Sequence, residues 1–171
     1  MITRIIPAAV AAAALVFMAQ PAAAQNPMSV GISGGLSIPA SNISDSHETG
    51  WNLSGGLNIG MPASALGFRF EGFYNSFQAK TGSADLRIAG GGVNAFYDLG
   101  TGVIRPYVIG GVGAYNQKFT GGSSSTDLGI NAGGGVKFAL GGLTTYVEAR
   151  LHSVSGDPQR QFVPIVFGVE F

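Results

Sequence analysis

The sequence contains no cysteine, so no disulfide framework holds it together. Charge is sparse as well. Asp, Glu, Lys and Arg make up 11% of the 171 residues, and nine basic residues offset nine acidic ones. A nucleic-acid groove needs a basic excess, so nucleic acid is excluded as a partner. Histidine occurs only at His47 and His152. A nitrogen and oxygen metal site wants several converging ligands, and His47 stands alone in a loop with Asp45 and Glu48. No metal and no cofactor is expected. Beyond residue 24 there is no apolar run of the ~20 residues a helical span requires. Proline tracts and a collagen period are also missing.

What is present begins with a leader. Arg4 gives a short positive region, Ile5 to Ala19 is apolar and Ala-rich, and Ala22 to Ala24 precede Gln25. That order fits a cleavable signal peptide over residues 1–24, leaving residues 25–171 as one domain. If this domain sits in a membrane, it must do so as a closed barrel, because an open sheet edge leaves backbone groups unsatisfied in lipid.

The domain reads as eight strands separated by turn signals. Ser29 to Ile38 alternates cleanly, with Val30, Ile32, Leu36 and Ile38 opposite Ser29, Gly31, Ser33, Gly35 and Ser37. At about 3.3 Å per residue and roughly 45° of tilt it rises on the order of 24 Å, the height of an apolar band. Strands are expected next at Trp51 to Met61, Leu66 to Phe77, Asp85 to Leu99 and Val103 to Phe119. Asp127 to Leu140, Leu143 to Leu151 and Gln161 to Phe171 complete the set. In the fourth strand Leu86 and Ile88 share one parity and Val93, Ala95 and Tyr97 the other, so a bulge is expected at Gly90 to Gly92. The fifth strand is ambiguous in phase, with Pro106, Val108, Val112 and Ala114 favoured outward. Connections alternate. Polar loops fall at Pro39 to Gly50, Gln78 to Ala84, Thr120 to Thr126 and His152 to Arg160. Short turns fall at Pro62 to Ala65, Gly100 to Gly102 and Gly141-Gly142. Long loops on one side and short turns on the other are the asymmetry of outer-membrane barrels. Trp51 and Tyr74 would form one aromatic girdle, and Phe68, Tyr97, Phe138 and Phe171 the other.

Periodicity alone does not say which face points inward. A soluble lipocalin-like barrel puts the apolar face inside and needs a well-charged exterior. Here the polar face is Gly, Ser and Asn with a few charges of both signs, and small residues suit the crowded interior of an eight-stranded barrel. Arg69, Glu71, Lys137, Glu148, Arg150 and Glu170 share that face and are expected to pair inside, since an unpaired buried charge is costly. Pro164 and Val166 also fall on it and do not fit the pattern. The glycine runs are not phosphate loops, because no helix follows any of them.

Four stretches carry a family resemblance: V-N-A-F-Y-D-L from Val93, R-P-Y-V-I-G-G-V-G-A-Y from Arg105, Y-V-E-A-R-L-H from Tyr146, and F-V-P-I-V-F-G-V-E-F from Phe162. They resemble bacterial outer-membrane β-barrel domain proteins, the small barrels similar to the OmpA transmembrane domain and OmpX. The resemblance implies an all-β, eight-stranded antiparallel up-and-down transmembrane barrel. It also implies outer-membrane lipid as the surroundings and the barrel-assembly machinery as a partner. In that family a terminal aromatic strand is the assembly signal, which maps here to Phe167, Val169 and Phe171. A structural and surface-display role follows, with adhesion or ligand recognition through the loops. Some such barrels modify lipids, and His152, Ser153, Ser155 and Glu148 are the residues a lipid-modifying enzyme would use. Their spacing does not match the deacylase pattern, so no enzyme is expected.

Overall fold

A computed structural model describes residues 27–80 and 84–171. The expected signal peptide, residues 1–24, lies outside the described residues. Among the described residues the chain forms eight strands and one short 3-10 turn at Ser41–Ile43. The strands are β1 (Met28–Ala40), β2 (Gly50–Gly60), β3 (Leu66–Phe77), β4 (Leu86–Asp98), β5 (Ile104–Phe119), β6 (Ser124–Leu140), β7 (Leu143–Val154) and β8 (Arg160–Glu170). Each pairs antiparallel with its chain neighbours, and β1 pairs with β8, so the barrel is closed. The seam runs from Ala40 opposite Gln161 to Gly31 opposite Glu170. Val30 and Phe171 extend it by exchanging backbone hydrogen bonds of 3.1 and 2.9 Å.

The apolar face points outward. Leu128 is 73% exposed, Ile130 63% and Phe167 57%, while Glu148 is 2% exposed and Asn75 0%. In water this inversion would leave a large apolar surface uncovered. Surrounded by acyl chains it is the satisfied arrangement.

Three sequence expectations need correction. The bulge at Gly90 to Gly92 does not exist. β4 stays in unbroken register with both neighbours, from Leu66 opposite Tyr97 to Phe77 opposite Leu86, and from Leu86 opposite Phe119 to Asp98 opposite Tyr107. Leu86 and Ile88 point inward together with Asn94 and Phe96; the lumen changes from polar to apolar along the strand, and the strand itself does not slip. His152 does not lie in a loop. β7 continues to Val154, and the connection shrinks to 155–159. β6 begins at Ser124, so the loop before it is only 120–123. The favoured phase of β5 holds, with Pro106, Val108, Val112 and Ala114 outward. Gly141 and Gly142 form the tight turn between β6 and β7 at φ of 57° and 99°, the conformation that two-residue hairpins demand.

Glycine and aromatic residues interlock inside. Tyr146 stands opposite Gly168, Phe96 opposite Gly67, and Tyr107 opposite Gly135. In each pair the ring covers the bare glycine so closely that a Cβ there would strike it. Rings thus lie flat across the neighbouring strand and fill a lumen too narrow to hold them upright. Pro164 is buried at the β8 wall, and the β7 to β8 ladder skips Arg150 and Leu151 beside it, where proline has no N–H to give.

Two stability changes follow. Gly168→Ala should lower the denaturant midpoint of the folded barrel by the overpacking cost of about 1–3 kcal/mol. Gly72→Ala, outward with only the Gly90 carbonyl at 3.8 Å, should leave it unchanged. Val147, outward and 46% exposed, should cost about 2–4 kcal/mol when replaced by Arg at mid-bilayer depth; a midpoint equal to wild type would contradict the orientation.

Candidate functional site: the lumen and its loop-end mouth

The middle of the lumen is spanned by charge. Arg69 of β3 reaches across to Glu148 of β7 at 2.8 Å and to Glu170 of β8 at 3.4 Å. Arg150 of β7 holds Glu71 of β3 through both terminal guanidinium nitrogens and contacts Glu148 through Nε at 2.8 Å. All five side chains are buried. Neutral groups complete the hydrogen bonding. Tyr107 donates to Glu148, Arg69 donates to the Asn58 side-chain oxygen at 2.7 Å, and Asn94 donates to Glu71 at 3.1 Å. Asn131 donates to Asn94 at 2.8 Å. A buried ion pair survives only when its remaining lone pairs and protons are occupied, and here they largely are. The cavity beside this network, between Gly31, Ser54, Asn58, Arg69, Glu71 and Tyr146, holds only about 10 Å³. That is the room for one water.

Lys137 stands apart from this network. It lies toward the short-turn end, 3.5 Å from Asp98 and over the Phe96 ring at 4.1 Å. Sequence reasoning named Lys137 but missed Asp98, Tyr107, Asn58, Asn94 and Asn131. Their inward parity on β2, β4, β5 and β6 was the available signal.

Toward the loop end the lumen turns apolar. Phe73, Phe77, Leu86, Ile88, Tyr115, Val154 and Phe162 form one buried cluster, and Ile43 enters it from the loop between β1 and β2. The 3-10 turn swings Ile43 inward, so this loop closes the mouth as a stopper. The next loop locks it. His47 bridges Ala79, its Nε2 lies 3.0 Å from the Ala84 carbonyl, and Lys80 donates to the Ser44 carbonyl at 2.7 Å. Glu48 and Lys80 add backbone bonds of 2.9 Å to Gln78 and Ser46.

The residues considered for catalysis are not assembled. His152 points inward, stacked on Phe162 at 4.9 Å, with Nδ1 2.9 Å from the Tyr115 hydroxyl. Ser153, next on the strand, points the opposite way and accepts from Gln159. Glu148 is engaged by both arginines and Tyr107. The named aromatics all lie on outward positions. Trp51 and Tyr74 are in contact near the loop end, at 5.3 Å between rings. Phe68, Tyr97, Phe138 and Phe171 lie toward the short-turn end. Phe167 and Val169 project outward from β8.

A closed antiparallel barrel with apolar residues outside and ion pairs within is a transmembrane barrel of outer-membrane type. The family model for the outer membrane protein beta-barrel domain matches residues 9–171. The chain belongs to that family and is an integral protein of the bacterial outer membrane. No curated protein sequence matches it. Among solved structures it is similar to Neisserial surface protein A (TM-score 0.68, 18% identity, 85% of this chain and 96% of that one). It is similar also to Ail, the attachment invasion locus protein of Yersinia pestis (0.51, 14%, 86% and 100%). The outer membrane enzyme PagL has the same fold (0.56, 16%, 84% and 98%).

Glu148 is the node of the network, so Glu148→Gln leaves Arg69 and Arg150 short of countercharge. Breaking a buried pair this way costs about 3–5 kcal/mol. The denaturant midpoint should fall by far more than for Glu170→Gln, which removes one 3.4 Å contact; equal effects would remove Glu148 from its central place.

Proposed function

We propose that this protein is a scaffold that presents its loop-end surface outside the cell and does not conduct solutes. One observation carries the reading: the lumen is occupied along its length. Ion pairs cross its middle, an apolar cluster fills its upper part, and Ile43 stoppers the mouth. A chain that spent its interior on side chains has its outer surface left to work with. Part of that surface is tied down, because the described residues of the loops after β1 and β3 are bonded to each other above the stopper. Surface protein A and the attachment invasion locus protein share the fold, which supports recognition or adhesion through the loops. An enzyme like PagL is the second reading on fold alone, and the opposed directions of His152 and Ser153 count against it. The interior pairs Arg69, Glu71, Glu148, Arg150 and Glu170 serve in this reading to hold the barrel rigid, with Lys137 sealing the short-turn end. The outward aromatics Trp51, Tyr74, Phe68, Tyr97, Phe138 and Phe171 serve as interface girdles. Phe167, Val169 and Phe171, on the strand that closes the barrel, serve as the surface read by the barrel-assembly machinery.

The orientation that this role requires is open to a direct test. An epitope inserted between Gly121 and Gly122 should be reached by antibody on intact cells. The same epitope between Gly141 and Gly142 should be reached only after the outer membrane is permeabilised. The opposite pattern would put the capped mouth inside and end the display reading.

A further inference from the structure

The distribution of charge between the two faces of the wall is uneven. Among the described strand residues, the cations that point inward are Arg69, Arg105, Lys137, Arg150 and Arg160. The inward anions Glu71, Asp98, Asp127, Glu148 and Glu170 match them one for one. The lumen is therefore neutral. The outward faces hold Arg87 and Lys118 and no carboxylate. These two are direct cross-strand partners, Arg87 on β4 opposite Lys118 on β5. Like charges so placed repel, with Cβ atoms roughly 4.5–5.5 Å apart. Neither has an ion-pair partner among the described residues. The nearest carboxylate in sequence, Asp85, accepts instead from the Ala79 N–H at 2.9 Å.

Their height is informative. Below Arg87 the outward residues of β4 are Ala89, Gly91, Val93, Ala95 and Tyr97. From Tyr97 to Arg87 the strand climbs on the order of 23 Å at about 3.3 Å per residue and roughly 45° of tilt. With Tyr97 at the inner interface, Arg87 and Lys118 reach the headgroup level of the outer leaflet. Polar groups flank them. Ser76 pairs with Arg87 and Ser124 with Lys118. Just beneath, Asn116 donates to Thr126 at 2.9 Å on the exposed side.

We propose that Arg87 and Lys118 form a binding site for a phosphorylated glycolipid headgroup of the outer leaflet. The phosphate sits between the two cations and cancels their repulsion, and guanidinium and ammonium both donate to its oxygens. Asn116, Thr126, Ser76 and Ser124 supply the hydrogen-bonding groups that sugar hydroxyls need. Ala89, Gly91 and Ala114 below leave the wall low where an acyl chain descends. This site rests on the outer-membrane placement and is independent of what the loops present.

The test uses purified, refolded protein in detergent micelles, with retained lipid read by native mass spectrometry. The probes are diphosphoryl lipid A, its fully dephosphorylated form and phosphatidylglycerol. Wild type should retain diphosphoryl lipid A at least about tenfold more tightly than the Arg87→Ser, Lys118→Ser double variant, the scale of one or two charge-assisted hydrogen bonds. The charge-conserving exchange Arg87→Lys, Lys118→Arg should restore most of that binding, and Lys80→Ser, in a loop, should not weaken it. Heat-dependent gel mobility verifies that each variant is folded. Equal retention by the double variant would overturn the proposal. So would equal affinity for phosphatidylglycerol, which would show a general attraction to anionic lipid, or for the dephosphorylated form.

Discussion

Every backbone N–H and C=O within the bilayer must find a partner in the protein, because hydrocarbon offers none. That requirement makes the seam between β1 and β8 the contact on which the rest depends. Once Gly31 to Ala40 pairs with Gln161 to Glu170, and Val30 with Phe171, the sheet has no edge. Closure then divides the environment in two. Residues of one parity meet acyl chains, and residues of the other meet only each other. The outward rows of Leu, Val, Ile and Phe follow from the first condition, and the glycines, asparagines and matched ions from the second.

An eight-stranded lumen is narrow enough that its filling becomes a packing problem. The chain solves it with pairs of unequal size, a ring on one strand covering a glycine on the next. Charge is admitted on the same terms. Arg69 lies across the lumen from Glu148 and Glu170, and Arg150 from Glu71, so these pairs tie opposite walls together, β3 to β7 and β3 to β8, while the Arg150–Glu148 contact stays within β7. Such ties add little net stability over apolar packing, but they penalise any register that would separate the partners. The interior is thus rigid and occupied, which leaves the outer rim and the capped mouth as the surfaces where partners can be met.

Much of this was legible in the sequence because period-two alternation reports the contrast between lipid and lumen directly. Alternation, cleanest in β1, separated the two faces, the small and oppositely charged residues of the polar face said which one turns inward, and the alternation of polar loops with short turns ordered the connections. The reading went wrong where the lumen stops being polar. Leu86 and Ile88 on β4 face an apolar cluster, so the apolar parity reverses along a straight strand and imitates a bulge. Tyr107 and Ile109 blurred β5 for the same reason, since they too are apolar and inward. Val166 belongs to this class as well. His152 was assigned to a loop because it follows the last obvious alternating residue, yet it packs under Phe162 inside the barrel. The inward swing of Ile43 had no sequence signal beyond an isolated apolar residue in a polar loop. The Arg87 and Lys118 pairing was invisible until register placed them side by side.

The central claim is the inversion of the two faces, and the absence of cysteine makes it directly measurable. A nitroxide attached to a single introduced cysteine at Val93, Ile130 or Leu151, in the protein reconstituted in lipid, reports which relaxation agent reaches it. The account predicts frequent collision with oxygen, which concentrates in hydrocarbon, and little with a water-soluble nickel chelate. A label reached by nickel, or by neither agent as in a packed core, would place these residues away from lipid and contradict the account.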